Sequence, residues 1–204
     1  MTGKIHHTQT EGPAYFAYSA DNAHIAEEII RKYPAGRQQS AVMPLLTLAQ
    51  KQCGGWLPKA AMDTVAAILG MAPVRVYEVA SFYTMYNLEP VGKHVVEVCT
   101  TTPCWLRGSD AILKACEDHL DIRVGETTAD GKFTLKEAEC LGACVNAPMC
   151  QIGEQFFEDL TPDVVTEILD LLAAGRNPKP GPQSGRHSSE PLTGLTTLKH
   201  MGSK

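Results

Sequence analysis

Cysteines stand at Cys53, Cys99, Cys104, Cys116, Cys140, Cys144 and Cys150, and four of these seven fall into two close pairs. Cys99-Thr100-Thr101-Thr102-Pro103-Cys104 is a C-x4-C pair, and Cys140-Leu141-Gly142-Ala143-Cys144 is a C-x3-C pair. Four thiolates so arranged have three chemistries open to them. Structural zinc gathers four in one tetrahedron, commonly from C-x2–4-C spacings. A [2Fe–2S] cluster takes two per iron, so each pair could hold one iron. A dithiol redox site of the thioredoxin kind uses C-x-x-C, which this sequence lacks. The surroundings favour the cluster. Residues 100–102 and 141–143 carry small side chains. Tight loops there would turn backbone N–H groups toward sulfides and thiolates and tune their potential. The plant-type ferredoxin spacing is absent, because position 107 is Arg107 and not a third cysteine.

Both pairs fall where an expected strand gives way to a loop. His94-Val95-Val96-Glu97-Val98-Cys99 is short and β-branched and reads as a strand. A helix is predicted from about Gly108 to Leu120, with Ile112, Leu113, Cys116 and Leu120 on one face. Asp130-Gly131 reads as a hairpin turn between Val124–Thr128 and Lys132–Glu137. Met149–Ile152 and Gln155–Glu158 make a second candidate hairpin around Gly153-Glu154. The clearest helix follows: Thr161 as N-cap, Pro162 at the first position, then Val164, Val165, Ile168, Leu169 and Leu172, with Gly175 as its stop. Strand, helix, hairpin and helix make a small thioredoxin-like α/β domain over residues 91–175, in which both cysteine loops can lie at one end of the sheet.

Residues 20–90 read as a helical bundle. Ile25, Ile29, Ile30 and Tyr33 follow helical spacing up to Pro34. Val42, Leu45, Leu46 and Ala49 form a second face closed by Gly54-Gly55, with Pro44 tolerable only in the first turn. A third helix starts at Pro58, carries Met62, Val65 and Leu69, and ends at Gly70; a fourth follows Pro73 with Val76, Val79, Ala80 and Tyr83 inward. The chain is therefore of α+β class in two parts, a helical bundle followed by the α/β domain. Residues 1–19 are expected to be a flexible N-terminal segment and residues 176–204 an extended basic, Pro/Gly-rich tail.

Composition narrows the function classes. The 204 residues are 44% hydrophobic and 20% charged, so wholesale disorder is excluded. No apolar run approaches the ~18 residues that span a bilayer. Acidic side chains (23) outnumber Lys and Arg (18), which argues against a nucleic-acid binder. The odd cysteine count in a chain of this size argues against a disulfide scaffold. Met1 to His7 hold no signal-like apolar stretch and are not Arg-rich, so a reducing compartment is expected. There is no G-x-G-x-x-G or Walker sequence, hence no nucleotide site of the chain's own. Charge divides unevenly: net −9 through Ala174 and +4 from Gly175 onward. The tail is either a disordered end or a basic arm ordered along a partner. Its apolar pieces Pro191-Leu192 and Leu195-Thr196-Thr197-Leu198 favour the arm. Removing everything after Ala174 is then expected to spare the cysteine site and weaken docking.

The ligand motifs resemble a known family. Cys99 through Trp105, together with Glu139-Cys140-Leu141-Gly142-Ala143-Cys144-Val145-Asn146-Ala147-Pro148-Met149, are similar to the thioredoxin-like [2Fe–2S] subunit of respiratory complex I, the NADH:quinone oxidoreductase. Ser81-Phe82-Tyr83-Thr84-Met85-Tyr86 and Pro178-Lys179-Pro180-Gly181-Pro182-Gln183-Ser184-Gly185-Arg186 extend the likeness over about residues 15–198. The resemblance implies one [2Fe–2S] cluster on Cys99, Cys104, Cys140 and Cys144. It implies that FMN and NADH bind a partner flavoprotein subunit, with which this cluster exchanges single electrons. It also implies further peripheral-arm partners and a peripheral place on the cytoplasmic face of a bacterial inner membrane, or on the matrix side in a mitochondrion. The alternatives are the equivalent subunit of another NAD-linked dehydrogenase or hydrogenase, a zinc-stabilised assembly module, or a free-standing ferredoxin. Cys150 departs from the aliphatic residue expected at its place and reads as a small core hydrophobe, as do Cys53 and Cys116. Trp56 and Trp105 read as packing groups, with a shielding role also open to Trp105. His94 and His119 lack partners at ligand spacing, and Glu117, Asp118, Glu137 and Glu139 read as solvated faces.

Overall fold

The computed structural model describes residues 12–194 and residue 197. Part of the expected N-terminal segment, and Leu195, Thr196 and Leu198 of the tail, lie outside the described residues. The chain divides between Val91 and Gly92 into two compact units.

The first unit is built from α1 (Ala20–Arg31), α2 (Val42–Gln52), α3 (Lys59–Leu69) and α4 (Pro73–Phe82). α2, α3 and α4 bury the stripe that their 3.6-residue period defines, whereas on α1 only Ala26 is buried, Ile29 and Ile30 are half-buried and Ile25, expected inward, is 41% exposed. Leu45, Leu46, Ala49, Leu57, Ala61, Val65 and Val76 are wholly buried together. The ends follow local chemistry. Ser19 Oγ caps α1 by accepting from the Asn22 N–H. Gly70 ends α3 in the left-handed region, where a side chain is disfavoured. Tyr83 differs from expectation. It is 40% exposed, and Tyr86 is the buried tyrosine. The helical phase stops at Phe82, so Tyr83 leaves the inward stripe. The following turn sends Tyr86 back into the core, where its hydroxyl donates to the Met43 carbonyl at 2.9 Å.

The second unit carries β1 (His94–Cys99), α5 (Thr102–Leu106), α6 (Ser109–Leu120), β2 (Phe133–Ala138), β3 (Cys150–Ile152), β4 (Gln155–Glu158), α7 (Pro162–Ala173) and β5 (Gly181–Pro182). The sheet order is β2-β1-β3-β4-β5. β2 runs parallel to β1 and β5 parallel to β4, while β3 is antiparallel to both β1 and β4. Strand alternation puts Val96, Val98, Leu135, Cys150, Ile152 and Phe157 in one core with Ile112 and Cys116 of α6 and Val165, Ile168 and Leu169 of α7. Thr161 caps α7 as expected, its Oγ1 accepting from the Val164 N–H at 3.3 Å. Gly92 enters the sheet so closely that an added Cβ would stand 2.8 Å from the Phe133 backbone.

Three local readings are corrected here. The arm before Asp130-Gly131 is not a regular strand. The turn itself forms, with the Gly131 N–H donating to the Thr128 carbonyl and the Thr128 N–H to the Phe133 carbonyl, each at 2.8 Å, but the arm makes only one bridge, Thr127 to Thr134, and the regular ladder of β2 is with β1. Gly125, at a φ of 89°, breaks the extended backbone of that arm. Cys104 is not on an open loop, because Thr102 and Pro103 open the short helix α5, which carries Cys104. The tail is neither a free end nor an arm awaiting a partner over residues 181–190. It lies on its own domain, with Gly181 and Pro182 extending the sheet. Among the described residues, no helix is long and apolar enough to cross a membrane.

Candidate metal centre

Two adjacent strands deliver the cysteines. β1 ends on Cys99 and its neighbour β2 ends at Ala138, two residues before Cys140. The final rung of their ladder pairs Cys99 with Ala138. Parallel pairing makes both chains leave the sheet at the same end, so the C-x4-C and C-x3-C segments lie side by side.

The sulfurs form two pairs. Cys140 Sγ and Cys144 Sγ stand 3.5 Å apart. Cys99 and Cys104 share a side-chain hydrogen bond. The Thr101 hydroxyl sits between the pairs, 3.3 Å from Cys99 Sγ and also in hydrogen-bond contact with Cys140. The Cys99–Cys104 pair is buried with Ala147 and Met149, whereas Cys140 and Cys144 are exposed. Among the described residues, no three His, Cys, Asp or Glu side chains converge as a single-ion site requires. Paired thiols do suit a two-iron rhomb, in which each iron takes its own two sulfurs.

Within each pair the two thiols are shifted in opposite directions. Burial raises the Cys99 pKa, but hydrogen bonds from the Thr101 hydroxyl, the Leu141 and Thr101 N–H groups and Cys104 together bring it below the ordinary thiol value. Cys104 is pushed up to about 12 by burial and by its contact with Cys99. The Gly142 N–H, then Cys144 and Thr101, lower Cys140, while Cys144 is raised by its contact with Cys140 and by burial. Thiolates are the form that binds metal. The donor set therefore fits a [2Fe–2S] group: four sulfurs in two pairs, with N–H groups of both ligand loops aimed at them.

The remaining candidates fall elsewhere. Cys116 and Cys150 are fully buried in the second core. Burial drives the Cys116 thiol up to about 12 and raises Cys150 strongly as well. Cys53 packs against the first core and is likewise raised by burial. Trp105 is not a packing group. It is 56% exposed, and its indole N–H donates to Asp110. Burial lowers the pKa of His94, whose ring lies 5.5 Å from that of Phe133, and His119 pairs with Asp170 at 2.9 Å. Glu137 is not simply solvated, since it accepts from the Thr100 hydroxyl beside the first pair. Thr101 and Glu137 escaped the sequence reading as site groups because only the β1–β2 pairing brings them there.

Comparison with known proteins decides the family. The thioredoxin-like [2Fe-2S] ferredoxin family matches residues 26–173. The chain belongs to that family. It is 54% identical over 183 residues to the mitochondrial NADH dehydrogenase [ubiquinone] flavoprotein 2 of Dictyostelium discoideum, covering 90% of this chain and 74% of that one. It is 57% identical over 157 residues to a NADH-quinone oxidoreductase subunit of Rickettsia conorii, covering 77% of this chain and 94% of that one. The fold also matches a chain of an NAD+-reducing [NiFe]-hydrogenase in the H2-reduced state, with a TM-score of 0.56 and 18% identity, over 64% of this chain and 22% of that one.

In this thioredoxin-like [2Fe–2S] chain the last cysteine, Cys150, makes a clean control. Cys150→Val exchanges one small apolar side chain for another in a closed core, so it is expected to cost less than about 1.5 kcal/mol. The visible spectrum of the loaded protein should stay within a few nanometres of wild type. Loss of the cluster would make Cys150 a ligand.

Proposed function

We propose that this chain is the electron-transfer subunit of an NADH:quinone oxidoreductase and binds one [2Fe–2S] cluster through Cys99, Cys104, Cys140 and Cys144. The observation that carries the reading is the 57% identity across 94% of the length of the Rickettsia conorii NADH-quinone oxidoreductase subunit. When bound, the cluster supplies one-electron chemistry. The chain's own residues do the rest. The buried Cys99–Cys104 pair anchors the site to β1 and α5. The Leu141, Gly142 and Thr101 N–H groups offset the thiolate charge that burial would otherwise disfavour. The exposed pair, with the 70% exposed Val145 next to Cys144, is the side open to a donor.

That donor, in this reading, is the FMN of an adjacent flavoprotein subunit, which also binds NADH. The assembly includes further peripheral-arm subunits and sits peripherally on the cytoplasmic face of a bacterial inner membrane, or on the matrix side in a mitochondrion. The test mixes the loaded full-length chain with NADH, with and without the FMN-bearing subunit. The cluster EPR signal is expected only when NADH and the flavoprotein are both present. Reduction by NADH alone, or none with the flavoprotein, would contradict the assignment.

A further inference from the structure

The C-terminal segment grips the loop that follows Cys144. β5 lies along β4, and the Gln183 N–H continues the pairing to the Glu158 carbonyl at 2.9 Å. Beyond it, the Arg186 guanidinium meets the Asp159 carboxylate through two donors, Nε to Oδ2 at 2.7 Å and Nη2 to Oδ1. Only 8% of the Arg186 side chain and 9% of the Asp159 side chain are exposed. The same Nη2 donates to the Val145 carbonyl at 3.0 Å, one residue past Cys144. Nη1 donates to the Glu190 carbonyl at 3.1 Å and so closes the segment on itself. Asn146 adds a second tie, its amide donating to the Glu158 carboxylate and to the Ser188 carbonyl. On the far side, the Asp159 N–H donates to the Asn146 carbonyl at 2.8 Å and the Leu160 N–H to the Pro148 carbonyl at 3.0 Å.

The two ligand segments therefore differ in what holds them. The Cys99–Cys104 pair sits in an apolar cluster. Cys140, Cys144 and the Val145 side chain are exposed, so less burial fixes that loop. A planar guanidinium with several fixed donors can hold a carboxylate and a carbonyl together, which a lysine ammonium does not match. An ion pair so sheltered is little screened by salt.

We propose that residues 181–190 are a clasp on the second ligand loop and that Arg186 is the positioning residue for Cys144. The proposal rests on the [2Fe–2S] reading above for its redox consequence. It also revises what a truncated chain should do: cutting after Ala174 removes the clasp and loosens the site as well as any docking.

Full-length wild type, Arg186→Ala, Arg186→Lys and Asp159→Asn are compared by two readouts. Hydrogen exchange of the cluster-free chains reports the loop directly. The Asn146, Ala147 and Asp159 amides should exchange on the order of tenfold faster in Arg186→Ala, with α1–α4 unchanged as the folding control. In the loaded chains, chelator extraction should be on the order of tenfold faster and the EPR line shape altered, as when a partner that orients a metal ligand is lost. Arg186→Lys should recover part of both effects. Asp159→Asn should reproduce the loosening without removing the guanidinium. Unchanged exchange at those amides would overturn the clasp. Faster exchange with unchanged extraction and line shape would overturn the positioning role. A wild-type chain that takes up no cluster would contradict the [2Fe–2S] reading, while the exchange comparison would still decide the clasp.

Discussion

In a Cys140→Ala chain the reduced-state EPR signal of the [2Fe–2S] cluster is expected to disappear. Cys140 is the thiol of the exposed pair whose pKa is lowered, by the Gly142 N–H first, then by Cys144 and Thr101. Its neighbour Cys144 is raised. In the proposed ligand set, removing Cys140 would leave one iron with half its protein ligands. No substitute stands at hand, since Cys150 and Cys116 are locked in the core and Cys53 belongs to the other unit. Cluster affinity should fall by well over the 10–100-fold typical of changes to groups that only orient a ligand, read as loss of iron after anaerobic reconstitution and desalting. Cys53→Ala under the same conditions should keep a wild-type signal. A Cys140→Ala chain with an unchanged reduced spectrum would remove Cys140 from the site.

The second large effect is on stability. Leu169 lies on the inner face of α7, wholly buried with Val165 and Ile168 against the sheet. Leu169→Ala removes three buried carbons and leaves a cavity that α7 cannot close without shifting. Changes of this kind cost about 2–5 kcal/mol, set against a total of about 5–15 kcal/mol for a folded domain. Urea unfolding followed by the visible absorbance of the loaded chain should show a markedly lower midpoint with an unchanged slope. Because the β4–α7 turn carries Asp159, loosening α7 also disturbs the residue that holds Arg186. A loss below about 1 kcal/mol would mean that the core around α7 is less closely packed than its burial indicates.

How far sequence reasoning reached depended on how local each cause is. The helices were legible because period, proline and glycine act over a few residues: Pro44 in the first turn of α2, Gly70 after α3, Thr161 and Pro162 at the start of α7. The cysteine pairs were legible for the same reason, since ligand spacing is a local property. The inward reading of Tyr83 fails because the end of α4 carries no glycine to mark it, and the turn after Phe82 brings Tyr86 instead to the Met43 carbonyl. The parallel β1–β2 pairing joins residues some forty positions apart, so it left no local signal, whereas the turn at Asp130-Gly131 did and is formed. The tail was least legible. Two residues of strand and an ion pair 27 residues apart in sequence, Arg186 with Asp159, leave no periodic trace.

The central claim is that the two cysteine pairs jointly hold a two-iron cluster. It is tested most directly by EPR of the anaerobically purified, dithionite-reduced full-length chain, with iron and acid-labile sulfide measured on the same sample. Two irons and two sulfides per chain are expected, with one unpaired electron giving a rhombic or axial signal of average g below 2. A colourless chain carrying one zinc and no sulfide, silent before and after reduction, would contradict it.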